Sequence, residues 1–283
     1  MWTQRQLAED LKGIGLPSGS LVLAHVALET IGPIEGGPET LVAALRETLG
    51  PAGTLLVPTF GSISEERSMQ QPLNGGDMPH DAAHYGTPPR FSALAPSFSY
   101  EIDGFADTVS RQFGAFRSSH PTLSFTALGA EADALTSHVP FHFPLGSEGP
   151  LARLHARNGW ILLIGLGHSA NLSLRLAEIW ANVPYVHRSA PTLTGSEEET
   201  VMLGNPECSA GFVKIEPLLR QSRILRRGYI GNAECQLMRQ QQTVSMAVAM
   251  LHGSPAALLC EDEACRSCLL ARRLTAEQTT GRI

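Results

Sequence analysis

Four polar residues within one short stretch carry the residue types that proton and anion chemistry needs: His168, Asn171, Arg175 and Glu178. Their separations of three, four and three would place them on a single face of an α-helix, with Leu172, Leu176 and Ile179 on another. The apolar run 160–164 just before them, closed by Gly165 and Gly167, predicts a buried strand ending in a tight turn, and Ser169 or Asn171 can cap the helix that follows. A polar row at the end of a buried strand is where α/β folds place their chemistry, because the strand fixes position and the helix start offers free N–H groups. The plain structural alternative is that Arg175 and Glu178 form a surface pair contributing a few tenths of a kcal/mol, with His168 a hydrogen-bonded turn residue.

A second group of reactive side chains lies near the C-terminus. Cys260, Cys265 and Cys268 supply three closely spaced thiols, and Cys235 or Cys208 would be the fourth ligand that tetrahedral zinc requires. Cys235 is assigned that place, the alternative for all of these residues being reduced thiols. Five cysteines without a signal peptide argue against a disulfide framework. Once filled by four thiolates, such a centre would staple the Cys-containing tail, residues 255–283, and leave no position for catalysis.

The elements that must position these groups read as follows. An amphipathic helix over residues 2–13 precedes an apolar strand at 20–25, a glycine-rich turn at 32–37, a helix at 38–49 and a strand at 54–58. Strand, turn, helix, strand is a βαβ unit, so the fold is expected to be α/β, with a mixed, partly parallel sheet flanked by helices. Residues 60–97 lack periodicity and are expected to form a binding loop or lid. Further helices are expected at 107–113, 129–137, 216–225 and 243–251, with extended chain at 184–194 and a sheet edge and loop at 197–215. His138 and His142 are four apart, but Pro140 between them prevents the helix that would make them a metal pair.

Composition narrows the function classes. The 283 residues carry a net charge of −6, with 17% charged and 43% hydrophobic residues, which describes a compact globular protein long enough for one large or two small domains; a single domain over 1–283 is expected. A chain of this sign lacks the basic footprint of a nucleic-acid binder and suits a cationic small molecule better. No apolar run reaches membrane-spanning length and no signal-peptide pattern opens the chain, so a cytoplasmic protein without a membrane partner is expected.

Taken in order, a set of short motifs resembles the aminoglycoside 3-N-acetyltransferase (antibiotic N-acetyltransferase) family over nearly the whole chain. These are Leu23-Ala24-His25 through Ile31-Gly32 and Gly36-Gly37, then Gly53-Thr54 and Pro58-Thr59, Arg117-Ser118, His120-Pro121 and Ser124. Pro150-Leu151-Ala152, the run 162–167, Leu176-Ala177-Glu178, Ser189-Ala190-Pro191 and Gly231-Asn232-Ala233 complete the set. The resemblance implies an enzyme that transfers an acetyl or other acyl group from acetyl-CoA or another acyl-CoA to an amine of an aminoglycoside or related small molecule. It also implies cofactor contacts at His25, Val26, Ala27, Gly32, Ser118 and His120, with Asn171 and Asp107 as candidate substrate contacts. A homodimer is the assembly this reading allows. A base must remove a proton before an alkylammonium nitrogen can attack a thioester, and backbone N–H groups can hold the oxyanion.

Two motifs depart from the family pattern. Where the resemblance implies Thr-x-x-His-x-x-Glu with a catalytic histidine, this chain has Leu172, Arg175 and Glu178; where it implies a strand ending His-Ser-Ser or His-Ala-Ser, it has His25-Val26-Ala27. Arginine stays protonated at neutral pH and cannot act as a base. Three readings follow. The base is relocated to His168, with Glu178 or Asn171 orienting it; or Arg175 binds a carboxylate or phosphate in an altered reaction; or the scaffold serves as a repurposed biosynthetic enzyme or binding protein without acetyl transfer.

Overall fold

The structure is a computed structural model and describes residues 1–60, 104–120, 122–186, 189–194, 197–204 and 208–279. The loop expected over 60–97 lies, beyond Phe60, outside the described residues. In chain order the strands are β1 Leu21–Val26, β2 Thr54–Pro58, β3 Ala115–Arg117, β4 Phe125–Gly129, β5 Trp160–Ile164, β6 Ser189–Thr194, β7 Glu197–Met202, β8 Arg226–Ile230 and β9 Ala233–Arg239. The α-helices are α1 Gln4–Gly13, α2 Pro38–Leu49, α3 Gly104–Ser110, α4 Ala132–Thr136, α5 Pro150–Ala156, α6 Ser173–Trp180, α7 Glu216–Gln221, α8 Gln240–Gly253 and α9 Arg266–Thr279.

Seven strands form one mixed sheet in the order β3-β4-β2-β1-β5-β9-β8, and β6 and β7 form a separate antiparallel pair. The central strands β2, β1 and β5 run parallel, while β4 and β9 pair antiparallel on either side of them. Fully buried strands such as β2 (Thr-Leu-Leu-Val-Pro) and β5 (Trp-Ile-Leu-Leu-Ile) are apolar throughout, because helices cover both faces of the sheet. Val22, Ala24, Val26, Leu162 and Ile164 face the layer built from α1, α2 and α3, whereas Leu23, Ile161 and Leu163 face the layer built from α5, α6 and α8. His25 alternates with Ala24 and Val26 and so shares the Leu23 face, on the α6 side.

The expected βαβ unit is present, with α2 starting at Pro38 and ending at Gly50, whose φ of 66° only glycine adopts without strain. One expectation is corrected. The four polar residues expected on one helical face do not share one helix: His168–Ala170 form a 3-10 turn, Asn171 is extended, and α6 begins only at Ser173, just after the Asn171 that was one of the two expected caps. Within the Cys-containing tail, residues 266–279 form α9. The short edge strand β3, helix α5 and the β8–β9 hairpin were not read from the sequence, since none has enough alternation or length to stand out.

Candidate functional site

Parallel strands β1 and β5 end side by side, with His25 opposite Leu163 and Val26 opposite Ile164. The chain then turns tightly at Gly165, whose φ is 67° and where a Cβ would lie 1.9 Å from the Thr30 hydroxyl oxygen. That hydroxyl donates to the Ala27 carbonyl at 2.7 Å, and the Ala27 N–H donates to the Ile164 carbonyl at 2.9 Å. The two strand ends are thereby locked together, and they set the position of the following 3-10 turn and α6. Asn171 opens α6, its side-chain oxygen accepting the Ser173 N–H at 3.2 Å.

His168 is fully buried in this turn, with its Nδ1 3.4 Å from the Asn171 Nδ2. The Asn171 oxygen is occupied by Ser173, so the amide nitrogen faces the ring, and an amide nitrogen only donates. Nδ1 is therefore the acceptor and the neutral imidazole carries its proton on Nε2. Among the described residues Nε2 is buried with no hydrogen-bond partner. Burial pulls the His168 pKa down to about 4, a shift that the Glu216 carboxylate partly opposes. The ring is thus a neutral N–H donor at pH 7. His25, deeper at the end of β1, also has a buried Nε2 with no partner among the described residues, and burial takes its pKa to about 3.

One turn into α6, Arg175 Nη1 donates to Glu178 Oε2 at 2.8 Å, both side chains being buried. Nη2 donates to the Cys208 carbonyl at 2.9 Å, and the guanidinium lies 4.5 Å from the centre of the Phe212 ring. Tyr185 sits beside Glu178 and donates its hydroxyl to the Pro255 carbonyl at 3.0 Å. Burial pushes the Glu178 carboxyl up, against the Arg175 cation and the Tyr185 hydroxyl, which favour its ionised form. This geometry corrects two expectations. Glu178 pairs with Arg175 and does not orient His168. Arg175, with its fork and its face engaged inside the protein, is not presented to an outside carboxylate or phosphate.

The other predicted positions divide in two. Val26 and Ala27 lie buried at the strand ends beside His25. Gly32 instead faces the β8–β9 turn, where a Cβ would meet Asn232 Nδ2 at 2.5 Å. Ser118 accepts the Phe125 N–H at 2.9 Å. His120 uses both ring nitrogens internally: Nδ1 accepts the Leu123 N–H at 2.9 Å, and Nε2 donates to the Phe141 carbonyl at 3.1 Å. Both tie loops. Asp107 pairs with Arg111 at 2.8 Å on α3, on the opposite face of the sheet from α6, so the structure does not bring it to this site. Tyr185, Phe212 and Glu216 were missed, since no spacing rule connects them to α6.

Four thiols gather next to this ion pair. The sulfur atoms of Cys208, Cys260, Cys265 and Cys268 all lie within 4.8 Å of one another. The fourth thiol is thus Cys208 and not Cys235, which is buried in β9 opposite Gly228, where burial pushes its pKa up to about 12. Zn–S bonds of about 2.3 Å in a tetrahedron put sulfurs roughly 3.8 Å apart, so a small contraction of this cluster meets the requirement of zinc. Cys265 and Cys268 flank the start of α9, Cys260 follows the 258–259 turn, and Cys208 comes from the chain before the 3-10 segment Ala210–Ile215.

Comparison with known proteins agrees with this architecture. The sequence profile described as aminoglycoside 3-N-acetyltransferase matches residues 23–252. The chain is 31% identical to aminoglycoside N(3)-acetyltransferase IV of a Salmonella species, covering 90% of this chain and 89% of the relative. It is also 31% identical to aminoglycoside N(3)-acetyltransferase VII of Streptomyces paromomycinus, covering 88% and 91%. Among solved structures, a histidine-to-alanine variant of aminoglycoside acetyltransferase AAC(3)-IVa in complex with a gentamicin superposes with a TM-score of 0.82 at 29% identity, over 96% of this chain and 97% of that one. The AAC-IIIb complex with CoASH gives a TM-score of 0.74 at 26% identity, over 89% and 97%. With a profile match across most of its length and relatives above 30% identity over nearly all of it, the chain belongs to the aminoglycoside 3-N-acetyltransferase family.

Proposed function

We propose that this protein is a CoA-dependent N-acyltransferase acting on an amine of an aminoglycoside or a closely related polyamine, with His168 as a hydrogen-bond donor at the reacting centre. The observation that carries the reading is the buried Nε2–H of His168, partnerless among the described residues at the shared end of β1 and β5 in a member of this family. A bound acyl-CoA supplies the thioester whose carbonyl carbon the amine nitrogen attacks, with release of the CoA thiol. The His168 Nε2–H can hold the carbonyl oxygen as charge builds on it, because a neutral imidazole gives up its N–H proton only under strongly basic conditions. The negative net charge of the chain favours a cationic acceptor.

The Nδ1 lone pair of His168 faces the Asn171 amide and burial lowers the ring's basicity, while Arg175 is permanently charged, so neither is an effective base at pH 7 and the acceptor reacts as its free amine. The test is thiol release from acetyl-CoA with gentamicin as acceptor, followed over pH. Wild-type kcat/KM should rise through the pKa of the acceptor's own amine, and His168→Ala should lower it by about 100-fold at every pH. A limb near pH 6.5 that disappears in His168→Ala would identify His168 as a base and overturn the donor role. No transfer to any amine would overturn the acyltransferase reading.

The thiol cluster supports a second component of this reading: Cys208, Cys260, Cys265 and Cys268 hold zinc as a closed, structural centre. Four thiolates leave no open position, so the metal braces the fold and takes no part in bond making.

A further inference from the structure

Cys208 joins two features that the sequence keeps apart. Its sulfur belongs to the thiol cluster, and its carbonyl oxygen accepts from Arg175, the cation that pairs with Glu178 on α6. Four residues later, Phe212 places its ring under the same guanidinium. The segment between them is pressed against the second cysteine-bearing stretch of chain: a Cβ on Gly211 would lie 2.3 Å from the Leu258 carbonyl oxygen and 2.6 Å from the Cys260 nitrogen. Lys214 donates to the Leu259 carbonyl at 2.8 Å, and Arg272 of α9 donates to the Cys260 carbonyl. The Cys208 carbonyl and the Phe212 ring, which fix the Arg175 fork on its far side, therefore hang on the backbone that the four sulfurs bring together.

We propose that the metal held by the four thiols positions the Arg175 guanidinium, and through it the Glu178 carboxylate, for the acyl-transfer site. The inference rests on the reading that these thiols bind a metal. A bound ion fixes the Cys208 sulfur, which holds that residue's carbonyl at the distance the Arg175 fork requires; the fork in turn holds Glu178 within the helix face. Arg175 is thus a positioning residue coupled to the centre. Coupling is reciprocal in free energy: if the metal favours the Arg175 geometry, Arg175 favours metal binding by the same factor.

That reciprocity supplies a test independent of activity. Zinc content of the purified wild-type chain is measured first, and its affinity then compared among variants by chelator competition. About one zinc per chain is expected. Arg175→Met should weaken zinc binding about tenfold, which is about 1.4 kcal/mol. Arg175→Lys should share the loss, because it restores a cation beside Glu178 but not the planar fork that reaches the Cys208 carbonyl. Should Arg175→Met fail to fold, Phe212→Leu decides, since it removes only the ring beneath the guanidinium and should weaken zinc binding in the same direction. Zinc bound as tightly by the folded variants as by the wild type overturns the coupling and leaves the metal centre standing. A wild-type chain with reduced thiols that takes up no zinc overturns the centre and the coupling together.

Discussion

At the scale of single residues, Arg175 stands where the resemblance implies a catalytic histidine. Sequence reasoning located it and Glu178 on one helix face, and the structure pairs them at 2.8 Å. What the sequence could not show is that both are buried, because an Arg and a Glu three apart on a helix ordinarily form an exposed pair with little net effect. Buried, the pair is unequal in its parts: removal of one member leaves the other charge in a poorly polarisable interior. Arg175→His places a titratable ring beside Glu178, the arrangement implied by the family motif. If the acceptor's own ionisation limits the reaction, this variant should speed acyl transfer at pH 7 by about 100-fold over the wild type, both rates corrected for the fraction folded. The gain should shrink as pH approaches the pKa of the acceptor amine. Equal rates for wild type and variant at pH 7, in folded protein, would show that deprotonation of the acceptor does not limit the reaction.

At the scale of elements, legibility tracked periodicity. Strands β1, β2 and β5 and helix α2 were readable because their apolar runs are long and are punctuated by Gly and Pro, such as Pro38 and Gly50. The break at Asn171 was not, since the residue suits a helix cap and a helix face equally, and only the Ser173 N–H bond shows which role it takes. For the thiols, spacing identified Cys260, Cys265 and Cys268. Cys208 and Cys235 were equivalent in sequence, and the choice between them rests on the 3-10 segment Ala210–Ile215 packing across the 258–260 chain. Gly211 is the residue that permits this packing. Gly211→Ala forces a methyl group against backbone atoms with no side chain to swing aside, so it should destabilise the protein by about 1–3 kcal/mol in urea unfolding. It should also loosen the four-thiol cluster and the metal site proposed there. Unchanged stability would mean that the two segments are not held in contact in solution.

At the scale of the whole molecule, three imidazoles among the described residues are buried and neutral because they are out of water. Burial holds His25 at about 3 and His120 and His168 at about 4, the last two against weaker opposing contributions from the Phe141 carbonyl and Glu216. In the unfolded chain each returns to about 6.5. Below that pH the unfolded state binds protons that the folded state refuses, so stability is complete above pH 6.5 and falls as pH drops toward 4. Each proton contributes a slope of about 1.4 kcal/mol per pH unit once the unfolded histidine is fully protonated. Carboxylates with lowered pKa, such as exposed Glu47 beside Lys12, begin to act only at lower pH, and the raised Glu178 carboxyl opposes the trend. The urea midpoint should therefore be level from pH 8 to 7 and decline steeply between pH 6 and 4.5. His120→Gln keeps an acceptor for the Leu123 N–H but removes one titrating ring; with His155 also lowered by burial, the slope in that window should fall by about a quarter to a third. A midpoint that stays constant down to pH 5, or a slope that His120→Gln leaves unchanged, would show that these rings reach water in the folded protein, and the neutral, donor form of His168 would lose its physical basis.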